Sequence, residues 1–522
     1  MRIIDFFDRG ATIARDRACT VDIETGRTRS YAQVQQASHR IACGLLREGA
    51  VPESTKVAVY SPNCGRALEA VLGVLRSAAV WAPVNSRNAT ADIAFLLHNN
   101  DVEILLYHGD YADRIAEIRD ACPTLRLCVP IDAPDADGGP SVDAWLEAPD
   151  ALAPERDSRP DAPMAIFGSG GTTGRPKGVV HSHRLWECLA MNVLTSMPPR
   201  TTAPVHLVVA PMTHAAGALG LPLLAVGATQ VLMKQFDAQV VLDAIGRYRV
   251  THLFLPPTAV YMLLAEPDVR DHDYASLEYF VYAAAPMSVE RIRQSIDVFG
   301  AVMVQTYGQT EAGPLIGTFF SAAAHVEALR DRPERLASCG RATLLTRLKI
   351  VDEAGRVLAP GERGEIAIGG DFLMSGYYRN EAATAEVLRD GWVLTGDVGC
   401  MDEDGFVYVV DRKREMIITG GFNVYPSEIE QAIFTHPAVQ DCAVIGVPDD
   451  KWGEAVKAIV QLKPGAAATE AEILSLCRQR LGGVMTPKSV DFWPELPKSA
   501  VGKVVRRVVR DRFWAGRDRA LV

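Results

Sequence analysis

Twelve consecutive residues, Phe167-Gly168-Ser169-Gly170-Gly171-Thr172-Thr173-Gly174-Arg175-Pro176-Lys177-Gly178, hold five glycines, three hydroxyls and a lysine. Glycines let backbone N–H groups close on anionic oxygens, hydroxyls add donors, and lysine adds a mobile cation. The combination is that of a phosphate cradle. It is not a Walker A loop, because Gly178 rather than Ser or Thr follows Lys177. A flexible Gly/Ser linker would not carry an ordered Thr-Thr-Gly-Arg-Pro-Lys-Gly.

Other residues suit the same kind of ligand. In Tyr307-Gly308-Gln309-Thr310-Glu311 the Glu311 carboxylate can hold Mg²⁺, a cation that takes few protein ligands and keeps waters and phosphate oxygens. Thr310 can donate its hydroxyl to the phosphate, and Tyr307 offers a flat face to a purine. Ala283-Ala284-Ala285-Pro286 is small-residue backbone that a purine can approach closely. Asp397, after Thr395-Gly396, can accept both hydroxyls of a ribose. Arg412 can add a contact to ribose or phosphate. Lys503 precedes a stripe of Val504, Val505, Val508, Val509 and Phe513 with Arg506, Arg507 and Arg510 opposite. That pattern predicts a docked amphipathic helix over 504–513 and leaves Lys503 in the loop before it, free to reach a neighbouring cleft.

The elements that must hold these groups are readable from periodicity. The apolar run 164–167 and Val179-Val180 predict strands on either side of the cradle. Apolar runs alternate with amphipathic stretches: 56–60 before 66–76, 103–107 before 112–121, and 251–255 before 258–265. Such alternation predicts an α/β fold, with mainly parallel sheets covered by helices. Residues 134–163, rich in Asp, Ala, Gly and Pro, predict a loop-rich connection, and 217–233 a buried helix followed by a buried strand. At Asp411-Arg412-Lys413-Arg414-Glu415 every residue is charged, and the texture changes. Beyond it 443–447 and 456–462 predict strands and 471–480 a helix. The expected division is a large N-terminal domain, 1–411, and a small α+β C-terminal lid, 412–522.

A chain of 522 residues exceeds one ordinary core, and 48% hydrophobic with 23% charged residues is a soluble globular composition. A formal net charge of -10 argues against a general nucleic-acid binder, which needs clustered Lys and Arg. Acids at Asp5 and Asp8 interrupt any signal-peptide core, and 217–233 falls short of a membrane span. Ten scattered cysteines without a Cys-x-x-Cys suit reduced thiols and offer no zinc site. Cytoplasm is the expected location; oligomeric state is left open, a homodimer included.

Taken in order, these segments resemble the motifs of the adenylate-forming (AMP-binding) superfamily: acyl- and aryl-CoA ligases, amino-acid adenylation domains and beetle luciferases. The cradle resembles its phosphate-binding signature, with Ser169 and Gly170 where Thr and Ser are more usual. Segment 307–311 resembles its aromatic-Gly-x-Thr-Glu motif, and 392–397 its Thr-Gly-Asp motif. Residues 411–415 with Gly420-Gly421-Phe422-Asn423-Val424-Tyr425-Pro426 resemble its hinge and following loop, and 496–503 its C-terminal lysine loop. The resemblance implies an ATP-, Mg²⁺- and CoA-dependent acid:CoA ligase. It implies that Lys503 is the adenylation lysine and Arg414 the pivot of the lid. It further implies that His214, Ala215 and Gly217 abut the acyl pocket and thiol tunnel, where Gly420 and Gly421 line the pantetheine path. Amino-acid adenylation, with a carrier protein as acceptor, is the first rival. Those relatives usually place an acid after the His214 position, and Ala215 stands here. A luciferase-like oxygenase shares the motifs, and a catalytically silent homologue would be expected to lack Lys503, Glu311 or Asp397. The small apolar residues Ala215, Ala216, Gly217, Leu219 and Ala283 to Ala285 predict a neutral, largely apolar acid.

Overall fold

The computed structural model describes residues 1–134, 138–149, 152–157, 159–169, 176–285, 287–498 and 504–514. Two large sheets form the N-terminal body. One has nine strands, whose centre runs parallel through Met303–Tyr307, Tyr279–Tyr282, His252–Leu255, Val205–Val208, Thr229–Leu232 and Ala18–Asp22. The other has seven strands, parallel at its centre through Pro163–Gly168, Val80–Pro83, Lys56–Tyr60, Val102–Tyr107 and Leu127–Pro130. Antiparallel strands close both edges of the nine-stranded sheet and one edge of the seven-stranded sheet.

A single apolar core lies between these sheets. It joins Val57, Val59 and Trp81 of one sheet to Val208, Leu232, Val281 and Val304 of the other, through the helices Gly65–Ser77, His183–Ser196 and Ala215–Leu223. Gly65–Ser77 is buried along nearly its whole length. Its charged residues survive there because they are paired: Glu69 with Arg66 at 2.8 Å, and Arg76 with Asp8 at 2.6 Å. Further cores cover the outer face of each sheet, so helices flank both sides as the alternating pattern predicts.

The stretch before residue 411 is mainly parallel, as expected, with one separate antiparallel sheet made of Arg347–Val351, Gly364–Gly369, Trp392–Met401 and Val407–Arg412. One expectation needs correction. The helix expected at 504–513 spans only Arg506–Asp511, because Val504 is drawn into a bridge with Lys498. Val509 and Phe513 do face the core, but Val508 is exposed. The C-terminal strands Val439–Asp449 and Gly453–Leu462, and the helix Glu470–Leu481, lie where expected. No helix among the described residues is long and apolar enough to cross a membrane.

Candidate active site

In the nine-stranded sheet the chain passes from Val205–Val208 to a neighbour on one side, Thr229–Leu232. It then jumps to the other side, at His252–Leu255. Such a reversal opens a crevice at the carboxyl ends of the strands. His214, Ala283 to Ala285 and 307–311 all follow the carboxyl ends of these parallel strands.

Across from them the cradle joins Pro163–Gly168 to Gly178–Ser182 as a hairpin, with Gly168 paired to Gly178. Its neck is tied twice. Ser169 N donates to Lys177 O at 2.8 Å, and Lys177 N donates to Ser169 Oγ at 2.9 Å. Gly170, Gly171, Thr172, Thr173 and Gly174 lie outside the described residues, as do Pro286 and Lys503.

Two clusters form at opposite ends of 307–311. At the Tyr307 end the Asp397 carboxylate, 3% exposed, collects three side-chain donors. The Tyr307 hydroxyl and Gln309 Nε2 donate to Asp397 Oδ2 at 2.6 and 2.7 Å, and Arg412 Nε meets Oδ1 at 2.8 Å. Asp397 and Arg412 are register partners on adjacent strands. The strand runs from Trp392 to Met401, with Gly396 at φ 70° inside it. Burial, and then the Asp397 charge, push the Tyr307 hydroxyl far above its usual pKa, so it stays a donor. Two donors saturate Oδ2, which leaves Oδ1, shared with exposed Arg412, as the open edge.

At the other end Tyr377 donates its hydroxyl to Glu311 Oε1 at 3.0 Å, and Lys177 Nζ sits 4.6 Å from the centre of the same tyrosine ring. Tyr377 thereby gathers the cation of the cradle and the acid of the second motif. Burial raises the Tyr377 pKa, with Glu311 adding to it. Among the described residues no hydrogen bond reaches Glu311 Oε2, and no group of three metal-binding side chains surrounds it. That fits Mg²⁺ arriving with phosphate oxygens rather than a protein-built metal cage.

Gly308 has no room for a side chain, since a Cβ would strike the Gly313 carbonyl. Ala284 adopts φ 73°, a left-handed conformation unusual for a residue with a side chain, where the backbone leaves Tyr279–Tyr282. Ala285 follows it, half-buried.

His214 and the Gly420–Gly421 turn join neither cluster. His214 begins the Ala215–Leu223 helix, is exposed, and holds Thr213 Oγ1 at 3.0 Å. Half-buried Ala215 opens that helix, and Gly217 abuts the Met212 carbonyl so closely that no Cβ fits. Gly420 and Gly421, at φ 57° and 82°, make a tight hairpin turn against Trp452. Arg414 is exposed in the one-turn segment Lys413–Glu415, beside the last strand of the antiparallel sheet.

Two residues escaped sequence reasoning. His181, 1% exposed, sits on the strand after the cradle. Trp186 Nε1 donates to its Nδ1 at 3.2 Å, so Nε2 carries the proton and donates to the Thr310 carbonyl at 2.7 Å. Burial lowers its pKa to about 4 and keeps the ring neutral. Only long-range packing brings it to Thr310. Arg506, placed on a solvent face by the helical stripe, instead turns inward. It bonds Asp411 at 3.1 Å, Glu430 at 2.8 and 2.5 Å, Ser427 at 2.7 Å, and Glu415. It ties the end of the antiparallel sheet to the C-terminal part, three residues after Lys503.

A family model described as "AMP-binding enzyme" matches residues 7–378, and one described as "AMP-binding enzyme C-terminal domain" matches 428–503. The chain is 35% identical to a feruloyl-CoA synthase of Amycolatopsis sp over 492 residues, 94% of each protein. It is 36% identical to the medium/long-chain-fatty-acid–CoA ligase FadD8 of Mycobacterium tuberculosis, over 83% of this chain and 76% of that one. The amide bond synthetase McbA of Marinactinospora thermotolerans superposes with a TM-score of 0.88 at 28% identity, covering 98% of this chain and 100% of that one.

Proposed function

The chain belongs to the AMP-binding enzyme family, and on that premise we propose that it is an AMP-forming acid:CoA ligase that uses ATP, Mg²⁺ and CoA. One observation carries the reading to residues. A single five-residue segment, 307–311, reaches a buried carboxylate at one end and the cradle lysine's tyrosine at the other. One stretch of chain thus carries groups suited to the ribose at one end and to the phosphates at the other. Asp397 and Arg412 take the ribose, the backbone from Ala284 to Pro286 and Tyr307-Gly308 the adenine, and the 169–177 loop the phosphates. Thr310 adds a donor, and Glu311 holds the Mg²⁺ that accompanies the phosphates.

A carboxylate is a poor electrophile, and AMP is a far better leaving group than oxide. The substrate carboxylate attacks the α-phosphorus, pyrophosphate departs, and the acyl-adenylate remains. Lys503 offsets the charge on the attacking carboxylate and the α-phosphate. The C-terminal part, 412–522, then turns about Arg414 against 1–411, withdrawing Lys503 and bringing Gly420 and Gly421 to the pantetheine path. The CoA thiol attacks the acyl carbonyl and AMP leaves. One cleft can serve both reactions only if the groups of the first can be withdrawn. His214, Ala215 and Gly217 form the wall between acyl site and thiol path.

The acid is largely apolar, fatty or aromatic, in keeping with the feruloyl and fatty-acid relatives. A free amino acid would bury an ammonium without a partner at Ala215. A cytoplasmic location, and room for a homodimer, belong to the same proposal. ATP/pyrophosphate exchange and CoA-thioester formation across fatty, aryl and amino acids test it. Efficiency, as kcat/KM, rises with apolar size until the pocket fills, at roughly 0.8 kcal/mol per methylene. Preference for amino acids, or for a carrier protein over CoA, would overturn it.

A further inference from the structure

Residues 372–378 form a strap between the strand that leaves the cradle and the segment that carries Glu311. On one side Gly313 N donates to Phe372 O and Met374 N to Glu311 O, both at 2.9 Å, and Leu373 bridges to Ala312. On the other side Ser375 N donates to Val180 O at 2.9 Å and Tyr378 N to Gly178 O at 2.7 Å, with Tyr377 the register partner of Val179. Buried Phe372 and Met374 anchor the strap in the protein. Tyr377 N–H is itself held by Thr384 Oγ1 at 2.9 Å. The backbone therefore fixes the Tyr377 Cα relative to both Lys177 and Glu311.

The half-buried Tyr377 side chain meets both groups at once. Its hydroxyl donates to Glu311 Oε1 at 3.0 Å, while Lys177 Nζ lies 4.6 Å from the centre of its ring. Among the described residues no ion pair joins Lys177 to Glu311. A mobile ammonium and a carboxylate that share one neighbour attract each other, and little would keep them from closing into a direct pair. Such a pair would occupy the acid that a cation needs and the cation that a phosphate needs. Tyrosine offers each a partner that carries no charge of its own: a hydroxyl for one oxygen of the acid, and a π face for the ammonium. The hydrogen bond also limits rotation of the carboxylate, and Oε2 is the oxygen it leaves over.

We propose that Tyr377 is a positioning residue that keeps Lys177 and Glu311 apart and aims the free oxygen of Glu311 at the Mg²⁺ that arrives with the nucleotide. The hydroxyl sets the acid, and the ring sets the cation. A nucleotide then takes Lys177 from a ring face, a weak contact, without first breaking an ion pair. Tyr377 touches no reacting atom and acts only through these two side chains. The inference rests on the ligase reading and deepens its account of the phosphate end.

Calorimetric binding of α,β-methylene-ATP, which cannot be adenylated onto an acid, tests the proposal without turnover when run in excess Mg²⁺ and again in EDTA. The ratio of the two affinities measures the coupling between metal and nucleotide. Tyr377→Phe keeps the ring and loses the hydroxyl. It should lower that ratio about tenfold while affinity in EDTA stays within about twofold. The same substitution made in Glu311→Gln should move the ratio by less than about twofold, because no carboxylate is left to aim. Tyr377→Leu removes the ring as well and should lower the ratio about threefold further, a loss that adding Lys177→Met recovers. Should Tyr377→Leu not fold, Tyr377→Met carries the same comparison. An unchanged ratio in Tyr377→Phe, equal losses with and without Mg²⁺, a full effect persisting in Glu311→Gln, or no recovery with Lys177→Met would overturn the proposal. ATP/pyrophosphate exchange judges the ligase reading separately. Exchange beside any of those four results defeats only the role of Tyr377. Absence of exchange with every acid, beside the expected ratios, defeats the ligase reading and leaves that role standing. A protein that bound no nucleotide would defeat both.

Discussion

The two ends of segment 307–311 are built on different terms. At Asp397 a buried carboxylate takes hydrogen bonds from Tyr307 and Gln309, charge-assisted contacts of about 1.5–3 kcal/mol each, and an ion pair from exposed Arg412, a preset arrangement. At Glu311 the acid has one tyrosine donor, and Lys177 rests on the face of that same ring, a contact of about 0.5–1 kcal/mol when exposed. One end is fixed; the other gives way easily. The division suits a nucleotide whose nucleoside is a constant handle while its phosphates gain, shift and lose charge. The rigid end should set binding, and the compliant end should set the rate.

The largest effect is expected beyond both ends. Lys503→Ala should cut ATP/pyrophosphate exchange by about a hundredfold or more, yet leave thioester formation from a supplied acyl-adenylate within about threefold. Equal loss in both half-reactions would deny Lys503 its separate, withdrawable role. Next, Asp397→Asn should raise the KM for ATP by about tenfold to a hundredfold with a smaller change in kcat. Glu311→Gln should do the reverse, lowering kcat more than it raises KM. If both substitutions moved KM alone, the contrast between the ends would collapse. Tyr307→Phe removes one of the two donors on Asp397 Oδ2 and should raise the KM for ATP about fivefold, an effect of roughly 1 kcal/mol. A drop in kcat without change in KM would place Tyr307 at the wrong end.

The smallest effect concerns pH. The buried His181 ring has a pKa near 4, below the 6.5 of an ordinary histidine. Its neutral form is the one that supports Thr310, so the folded state gains from it fully above pH 6.5. The gain is lost as pH falls from 6.5 toward 4, because the unfolded chain takes up the proton first. Urea midpoints should therefore fall between pH 7 and pH 5, and less steeply in His181→Asn. A midpoint that rises on acidification in the unaltered protein would reverse the sign.

Much of this was legible in the sequence, for identifiable reasons. The cradle's flanking strands, the alternation of strands and helices, and the helix and strand within 217–233 are local patterns, and they lie where periodicity puts them. Three features were not local. The antiparallel sheet from Arg347 to Arg412 depends on pairing partners that a period of two cannot name. Asp397 lies within a strand, because Gly396, a residue type that usually interrupts strands, is accommodated there at positive φ. Arg506 falls opposite the apolar stripe on a helical wheel, which is blind to the carboxylates of Asp411, Glu415 and Glu430 arriving from elsewhere.

The central claim is that the acid's own oxygen attacks the α-phosphorus. An acid that supports exchange, labelled with ¹⁸O in both carboxylate oxygens, tests it directly in a complete reaction with ATP and CoA. Mass spectrometry of the products should find one ¹⁸O in AMP and none in pyrophosphate, since the bridging oxygen stays with AMP when the thiol takes the acyl group. Label in inorganic phosphate alongside ADP, or AMP without label, would contradict the account.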